Sequence, residues 1–518
     1  MAETQTSFPK ALPASRTVVV IGAGTMDSGI AEVAAAAGHA VILRDASDAA
    51  VERGVGLIAR SLDRRVERGR LAAGERDAVL GRVRRSADDA DWRDVGLVIE
   101  VIVENLDVKA DVLKAVEPLL PADAIVATNT SSLSVTALAS RLARPERVVG
   151  MHFFNPPPVL PLVEVVSGHA TSPEVAETIM QTALAWGKAP VACRSTPGFI
   201  VNRVARPFYG EALRLLQEQA ATPATLDAVL RECGGFRMGP CELMDLIGHD
   251  VNFAVTRSVY EAFFDDPRYK PSLIQKDLVD AGWLGRKARR GFYDYREGAA
   301  MPAPDAVAAA AAWPQAIRAE GDLGPAEALV ALIEQAGRSV ERGDGQEGLL
   351  RIDGRALALT DGRSATERSA ELGEPLVLFD LALDYAAAKR IAIAAAEQAD
   401  DAHVTAAAGL FAALGKAVSP LADAPGMAVM RTVAMLVNEA ADAVQQGIAS
   451  EGDVDAAMVK GVNYPQGPMA WGRAVGLPRI ALVLRHLARS YGEDRYRTSP
   501  WLRRAVHAAQ PLKKKESA

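Results

Sequence analysis

From Thr17 the chain alternates short apolar, β-branched runs with longer stretches in which apolar residues recur every three or four positions. The run TVVVIG is followed by the helical period of MDSGIAEVAAAAG, then by HAVILRD, then by a long amphipathic stretch from Ala46 to Arg70. GLVIEVIVE, AIVATN, RVVGMHFF, LPLVEVV and APVACR continue as strands, with helices predicted over Leu106–Leu119, Ser134–Arg141 and Ser172–Trp186. Strands apolar along their whole length are buried on both faces, and helices between them return the chain to the same edge. The pattern therefore predicts a doubly wound, Rossmann-like parallel sheet.

After Thr196-Pro197-Gly198 the apolar period stays at three to four residues as far as GRKARRGFYDY, which predicts an all-helical domain. The Ala- and Pro-rich stretch 296–325 reads as a linker. Residues 349–420 return to alternation, with ALALT, a helix, LVLFD, two more helices and KAVSPLAD, but no Gly-rich turn follows any strand. The last hundred residues repeat the first helical domain at an offset of 228. Arg203 meets Arg431, Glu211 meets Glu439, Asp227 meets Asp455, Gly239-Pro240 meets Gly467-Pro468 and Gly248 meets Gly476. The expected class is thus α/β: a nucleotide-binding domain over 14–195, a helical domain over 196–295, the linker, a degenerate α/β segment over 326–420 and a second helical copy over 421–518.

Composition narrows the function. With 58 basic against 65 acidic residues, a net charge of −7 and a pI near 5.7, the chain has no large positive field for nucleic acid or anionic lipid. The tail KKKES is too short to change that. The start MAETQTSFPKALPASR lacks the apolar centre of a signal peptide, and no apolar run reaches membrane-spanning length. Three cysteines without a C-x-x-C pair exclude a disulfide framework, suggest no metal site and point to the cytosol.

The strand VVVIG runs into Gly22-Ala23-Gly24-Thr25-Met26 and a helix, and Asp45 ends the next strand. That is the dinucleotide fingerprint in context: Gly22 for the tight turn, Gly24 for close approach of backbone amides to pyrophosphate, and Asp45 for the adenosine ribose, which favours NAD over NADP. The third fingerprint glycine is replaced by Asp27. A carboxylate roughly 6 Å from pyrophosphate costs on the order of 3 kcal/mol at an effective dielectric of about 20, which would weaken NAD binding by roughly ten- to a hundredfold. Alternatively Asp27 points outward and Gly29 supplies the close approach.

Five motifs, the glycine turn among them, are specific: GAGTM…SGIA, IVENLDVK at 102–109, NTSSLS at 129–134, HFFNP at 152–156 with LVEVV behind it, and TPGFIVNR at 196–203. Together they resemble the L-3-hydroxyacyl-CoA dehydrogenase family over residues 17–295. The repeat and the length resemble its long single-activity bacterial members, of the 3-hydroxyadipyl-CoA and 3-hydroxybutyryl-CoA class.

The resemblance implies NAD-dependent, reversible oxidation of an L-3-hydroxyacyl-CoA. It implies His152 as general base, Glu164 as the partner that fixes its tautomer, Ser131 as a hydroxyl near the reacting oxygen, and Asn202 as an amide orienting that oxygen. Ser131 alone also reads as a helix cap. The resemblance further implies Glu104, Lys109 and Asn129 beside the cofactor, Asn155 beside the dyad, and Ser61 and Arg68 on the basic helix as contacts for coenzyme A. Glu104 and Lys109 otherwise read as a solvated loop and helix face. At the repeat offset Asn202 meets Met430, and the second half has no HFFNP, so it should be catalytically silent. It would then substitute for a partner's helical domain, giving either a pseudo-dimeric monomer or a homodimer. A dicarboxylyl substrate would require a cation near its acyl end, for which Arg203, Arg206 and Arg237 are candidates. The rival reading is a weakened or non-catalytic homologue, for which Asp27 is the support.

Overall fold

The computed structural model describes residues 10–85, 92–308, 311–345 and 347–509. The KKKES tail and the first residues of the N-terminal segment lie outside them. The chain divides into two compact units, residues 1–202 with 447–462, and residues 203–446 with 463–518.

The first unit is built on an eight-stranded sheet. Its strands are β1 (Thr17–Ile21), β2 (Val41–Arg44), β3 (Val83–Arg85), β4 (Val95–Glu100), β5 (Ile125–Thr128), β6 (Val148–Phe153), β7 (Leu162–Ser167) and β8 (Ala189–Arg194), in the order β3-β2-β1-β4-β5-β6-β7-β8. Central strands such as VVVI and VGLVIE are buried at every position because helices cover both faces. The predicted parallel sheet needs one correction: β6 and β7 pair antiparallel, so β7 and β8 run against the other six. Alternation of apolar residues marks a strand without its direction, and the loop after β6 is too short to hold a crossover helix.

A helix from the far end of the chain completes this unit. Glu451–Val462, part of the repeat, packs on β7 and β8, and Arg194 N donates to Ile448 O at 2.9 Å. Gly461 lies so close to Leu162 that a Cβ there would collide with its side chain.

The second unit holds a seven-stranded mixed sheet: β9 (Ile317–Glu320), β10 (Glu341–Gly343), β11 (Leu349–Ile352), β12 (Arg355–Leu359), β13 (Leu376–Phe379), β14 (Arg390–Ala395) and β15 (Ala417–Pro420), in the order β10-β9-β11-β12-β13-β14-β15. The predicted linker is not free chain: β9 lies within it, and Asp305 and Val307 bond Thr225 and Val418. Of the two helices expected between LVLFD and KAVSPLAD, only Asp401–Ala413 forms; Arg390–Ala395 is strand β14, because burial between neighbours outweighs the helix preference of its alanines. On β14 packs the helix Pro223–Glu232 of the first repeat, with Arg390 Nε 3.0 Å from Glu232. Helix starts in the two repeats keep the sequence offset: Pro223 and Glu451, Pro240 and Pro468, His249 and Leu477. So does backbone shape, with φ of 72° and 78° at Gly198 and Gly426 and 45° and 53° at Phe199 and Met427.

Candidate active site

His152 and Glu164 face each other across the antiparallel β6–β7 ladder as register partners. His152 Nδ1 lies 2.6 Å from Glu164 Oε2. Glu164 is fully buried, and its second oxygen accepts from the N–H groups of Ile200 and Val201 at 3.1 and 2.9 Å, where the TPGFIVN segment enters a helical turn carrying Asn202. One carboxylate therefore holds the imidazole and anchors the following helical turn. A buried charge in an apolar strand requires such a set of donors. The imidazole is flanked by the rings of Phe154 and Phe199 at 4.6 and 5.8 Å, contacts that the sequence pattern did not reveal. Asn155 is exposed immediately after β6.

The second half keeps the anchor and lacks the base. Asp380 accepts from the N–H groups of Ala428, Val429 and Met430, the first two being the repeat counterparts of Ile200 and Val201.

The NTSS loop is held by Glu104. Its Oε1 accepts from Thr130 Oγ1 at 2.6 Å, from the N–H groups of Ser131 and Ser132 at 3.0 Å each, and from Ser132 Oγ at 2.8 Å. Burial works against its charge, yet Thr130, Lys109 and Ser132 outweigh it and lower its pKa. Glu104, although exposed, is thus bonded into the loop rather than free in solvent. Nor is Lys109 on an open helix face: it is 1% exposed, with its ammonium 2.7 Å from Glu100 and 3.3 Å from Glu104. It supports the loop from beneath. Sequence reasoning missed Glu100, a fully buried acid that also accepts from Thr128 Oγ1 and Ile102 N at 2.7 Å each. Its signal is a carboxylate ending an otherwise apolar strand. Ser134, not Ser131, caps the helix Val135–Ala139, so the capping role does not account for Ser131. Asn129 Oδ1 accepts from Phe153 N at 2.7 Å and ties this loop to the strand that carries His152.

At the carboxyl ends of β1, β2 and β4 a cavity of about 700 Å³ is lined by Gly22, Gly24, Asp45 and the apolar Val103, Val108 and Val112. Gly22 has a φ of 120°, which only glycine adopts readily. Asp45 Oδ2 accepts from Ala23 N at 2.8 Å, placing the acid against the glycine turn. Thr25 and Met26 open the helix Thr25–Ala36, whose N-terminal N–H groups suit an anion. An acid beside an apolar slot fits the adenosine half of NAD.

Asp27 does not point outward. It is 6% exposed, and a Cβ built on Gly22 would collide with its carboxylate. Burial raises its pKa to about 6, while backbone N–H groups of Asp27 and Gly24 pull it down and Asp45 and Glu100 push it up. Its side chain therefore occupies the turn where pyrophosphate would sit and uses an N–H that pyrophosphate would use. Gly29 serves another purpose: a Cβ there would meet Pro157 at 2.9 Å.

Ser61 and Arg68 lie at one end of the helix Asp48–Glu67, Arg68 being its exposed C-cap, and no hydrogen bond or ion pair joins either to the dyad. Of the three arginines considered for a distal carboxylate, Arg203 is held by Glu439 and Arg237 is exposed, whereas Arg206 is buried. The three cysteines are free and buried. Among the described residues no helix is long and apolar enough to cross a membrane.

Comparison with known proteins agrees with this geometry. Residues 17–196 match the NAD-binding domain of 3-hydroxyacyl-CoA dehydrogenase, residues 198–295 and 426–518 its C-terminal domain, and residues 357–425 the reduced Rossmann-fold domain of 3-hydroxybutyryl-CoA dehydrogenase. The chain is 45% identical to the 3-hydroxyadipyl-CoA dehydrogenase of Escherichia coli K12, across 94% of this chain and 97% of that one. It is 38% identical to the human mitochondrial hydroxyacyl-coenzyme A dehydrogenase, across 54% of this chain and 91% of that one. A crystal structure of 3-hydroxybutyryl-CoA dehydrogenase from Escherichia coli K12 superimposes with a TM-score of 0.87 and 44% identity, across 96% of this chain and 99% of that one. The chain belongs to the 3-hydroxyacyl-CoA dehydrogenase family.

Proposed function

We propose that the chain catalyses reversible, NAD-dependent oxidation of an L-3-hydroxyacyl-CoA to the 3-oxoacyl-CoA, with a substrate of the 3-hydroxyadipyl-CoA or 3-hydroxybutyryl-CoA class. The observation that carries this reading is the buried His152–Glu164 pair on adjacent strands. NAD, when bound, supplies the hydride acceptor. With Nδ1 committed to Glu164, His152 keeps Nε2 for the 3-hydroxyl proton, and Glu164 stabilises the imidazolium that forms. Ser131 and Asn202 are assigned to the reacting oxygen, Asn155 to the edge of the dyad, and Ser61 and Arg68 to coenzyme A. Glu104, Lys109 and Asn129 act by holding the loop that presents Ser131. The buried free thiols suit a reducing, cytoplasmic setting.

The second half serves as a built-in partner. Arg203 with Glu439 and Arg431 with Glu211 form two related buried pairs between the helical repeats, which supports a pseudo-dimeric chain.

The test is NADH consumption with acetoacetyl-CoA against free acetoacetate. Turnover of the thioester alone is expected. Equal turnover of both would remove coenzyme A from the account.

A further inference from the structure

Arg44 ends β2 and is exposed, unlike the three buried residues before it. Its guanidinium lies over the indole of Trp92, a side chain 1% exposed, with 5.3 Å between the guanidinium carbon and the ring centroid. Among the described residues no carboxylate pairs with it. The neighbouring Asp45 is engaged elsewhere, its two oxygens accepting from the N–H groups of Ala23 and Ala46 at 2.8 and 2.7 Å. The guanidinium is therefore carried on an aromatic ring and not in an ion pair.

Arg44 also lines the cavity of about 700 Å³ at the carboxyl ends of β1, β2 and β4, wholly within the first unit. Strands β2 and β4 flank β1 in the sheet. Arg44 thus borders the cavity on one side of the glycine turn, and Val103 with the helix Leu106–Val116 borders it on the other. That helix contributes Val108, Val112 and Ala115, spaced to share one face. Val103 is 66% and Val108 42% exposed, apolar side chains left open at the mouth of a cavity. A phosphate beside Arg44 would meet Asp27 and Asp45 in the same lining and leave these valines uncovered. A flat, uncharged heterocycle uses the guanidinium plane and the apolar side together, and escapes that repulsion.

We propose that Arg44 is a specificity residue for the cofactor, its guanidinium stacking on the adenine base of NAD. This adds to the fingerprint, in which the glycine turn and Asp45 take the pyrophosphate and the ribose. It rests on the NAD-dependent dehydrogenase reading above. Arg44 sets affinity for the adenine end without touching the reacting atoms.

The experiment measures the dissociation constants of NADH and NADPH by fluorescence titration of the full chain, at one fixed pH because Asp27 titrates. The proteins are the wild type, Arg44→Ala, Arg44→Tyr and Arg44→Lys. Arg44→Ala should weaken NADH binding about five- to a hundredfold. Arg44→Tyr restores a flat face without the charge and should recover most of the loss, whereas Arg44→Lys keeps the charge without the plane and should not. In reduction of acetoacetyl-CoA, kcat/KM with NADH is compared with kcat/KM with reduced nicotinamide mononucleotide, which lacks the adenosine. The ratio should fall in Arg44→Ala, through the KM of NADH. Unchanged NADH affinity in Arg44→Ala, or recovery in Arg44→Lys but not in Arg44→Tyr, would overturn the proposal. So would a loss confined to NADPH, which would make Arg44 a contact for the 2′-phosphate. Arg44 is exposed, so none of these variants empties a packed core. If NADH binds as expected and no thioester is reduced, the dehydrogenase reading fails while the assignment of Arg44 stands.

Discussion

Arg203 Nε donates to Glu439 Oε1 at 2.6 Å, both side chains almost completely buried, although 236 positions separate them in the chain. The repeat supplies its mirror image, Arg431 Nε to Glu211 Oε2 at 2.7 Å. Tyr269 and Arg268 complete the first cluster around Glu439, and Tyr496 and Arg495 complete the second around Glu211. Each acid belongs to one helical repeat and its arginine to the other. Burial works against Glu439's charge, but Arg203 and Arg268 outweigh it and lower its pKa.

Breaking one such pair leaves the other charge buried. Arg203→Met or Glu439→Leu alone should destabilise the second unit by about 3–5 kcal/mol, whereas the double variant should recover much of that loss. Urea unfolding of the four proteins measures the coupling. Additive losses would contradict it.

Removing residues 300–518 strips Arg203 and Glu211 of their partners and takes the helix Glu451–Val462 from the first sheet. The truncated chain should be insoluble or should associate into dimers, as read by light scattering. A soluble, fully active monomer would show that the second half is dispensable.

Asp27 makes cofactor affinity depend on pH. Its carboxyl, with a folded pKa near 6, is neutral below that value and charged above it, so repulsion of pyrophosphate appears as pH rises through about 6. NADH should bind more tightly at pH 5.5 than at pH 8, by fluorescence titration. Asp27→Gly should flatten this difference and strengthen binding at pH 8 by roughly ten- to a hundredfold. Because the folded pKa is raised, Asp27's relative contribution to stability is fully present below its unfolded pKa near 4 and is lost as pH rises through about 6. Asp27→Asn should therefore raise the Tm more at pH 8 than at pH 5. A variant with wild-type affinity at every pH would contradict the occupied cradle.

Much of this site was legible because its residues lie in short motifs. The glycine turn and the β1–β2 alternation located Asp45, and HFFNP with LVEVV paired His152 with Glu164. The antiparallel step that sets those two opposite each other was not legible, since periodicity carries no strand direction. That Glu104 and Lys109 join Glu100 in one support was not legible for a different reason: the cluster forms only when strand, loop and helix pack together. The strand Arg390–Ala395 was hidden by alanine's helix preference. The transfer of Glu451–Val462 to the first sheet left no mark in its own sequence, because its counterpart Pro223–Glu232 makes the equivalent contact in the other unit.

The most direct measurement is NADH-dependent reduction of acetoacetyl-CoA, at saturating NADH, by the wild type, His152→Gln and Glu164→Gln. His152→Gln should lower kcat by about a hundred- to ten-thousandfold with little change in NADH affinity. Glu164→Gln should fall between it and the wild type, since an amide oxygen still accepts from Ile200 and Val201 but leaves the imidazolium without its counter-charge. Undiminished turnover in His152→Gln would contradict the account.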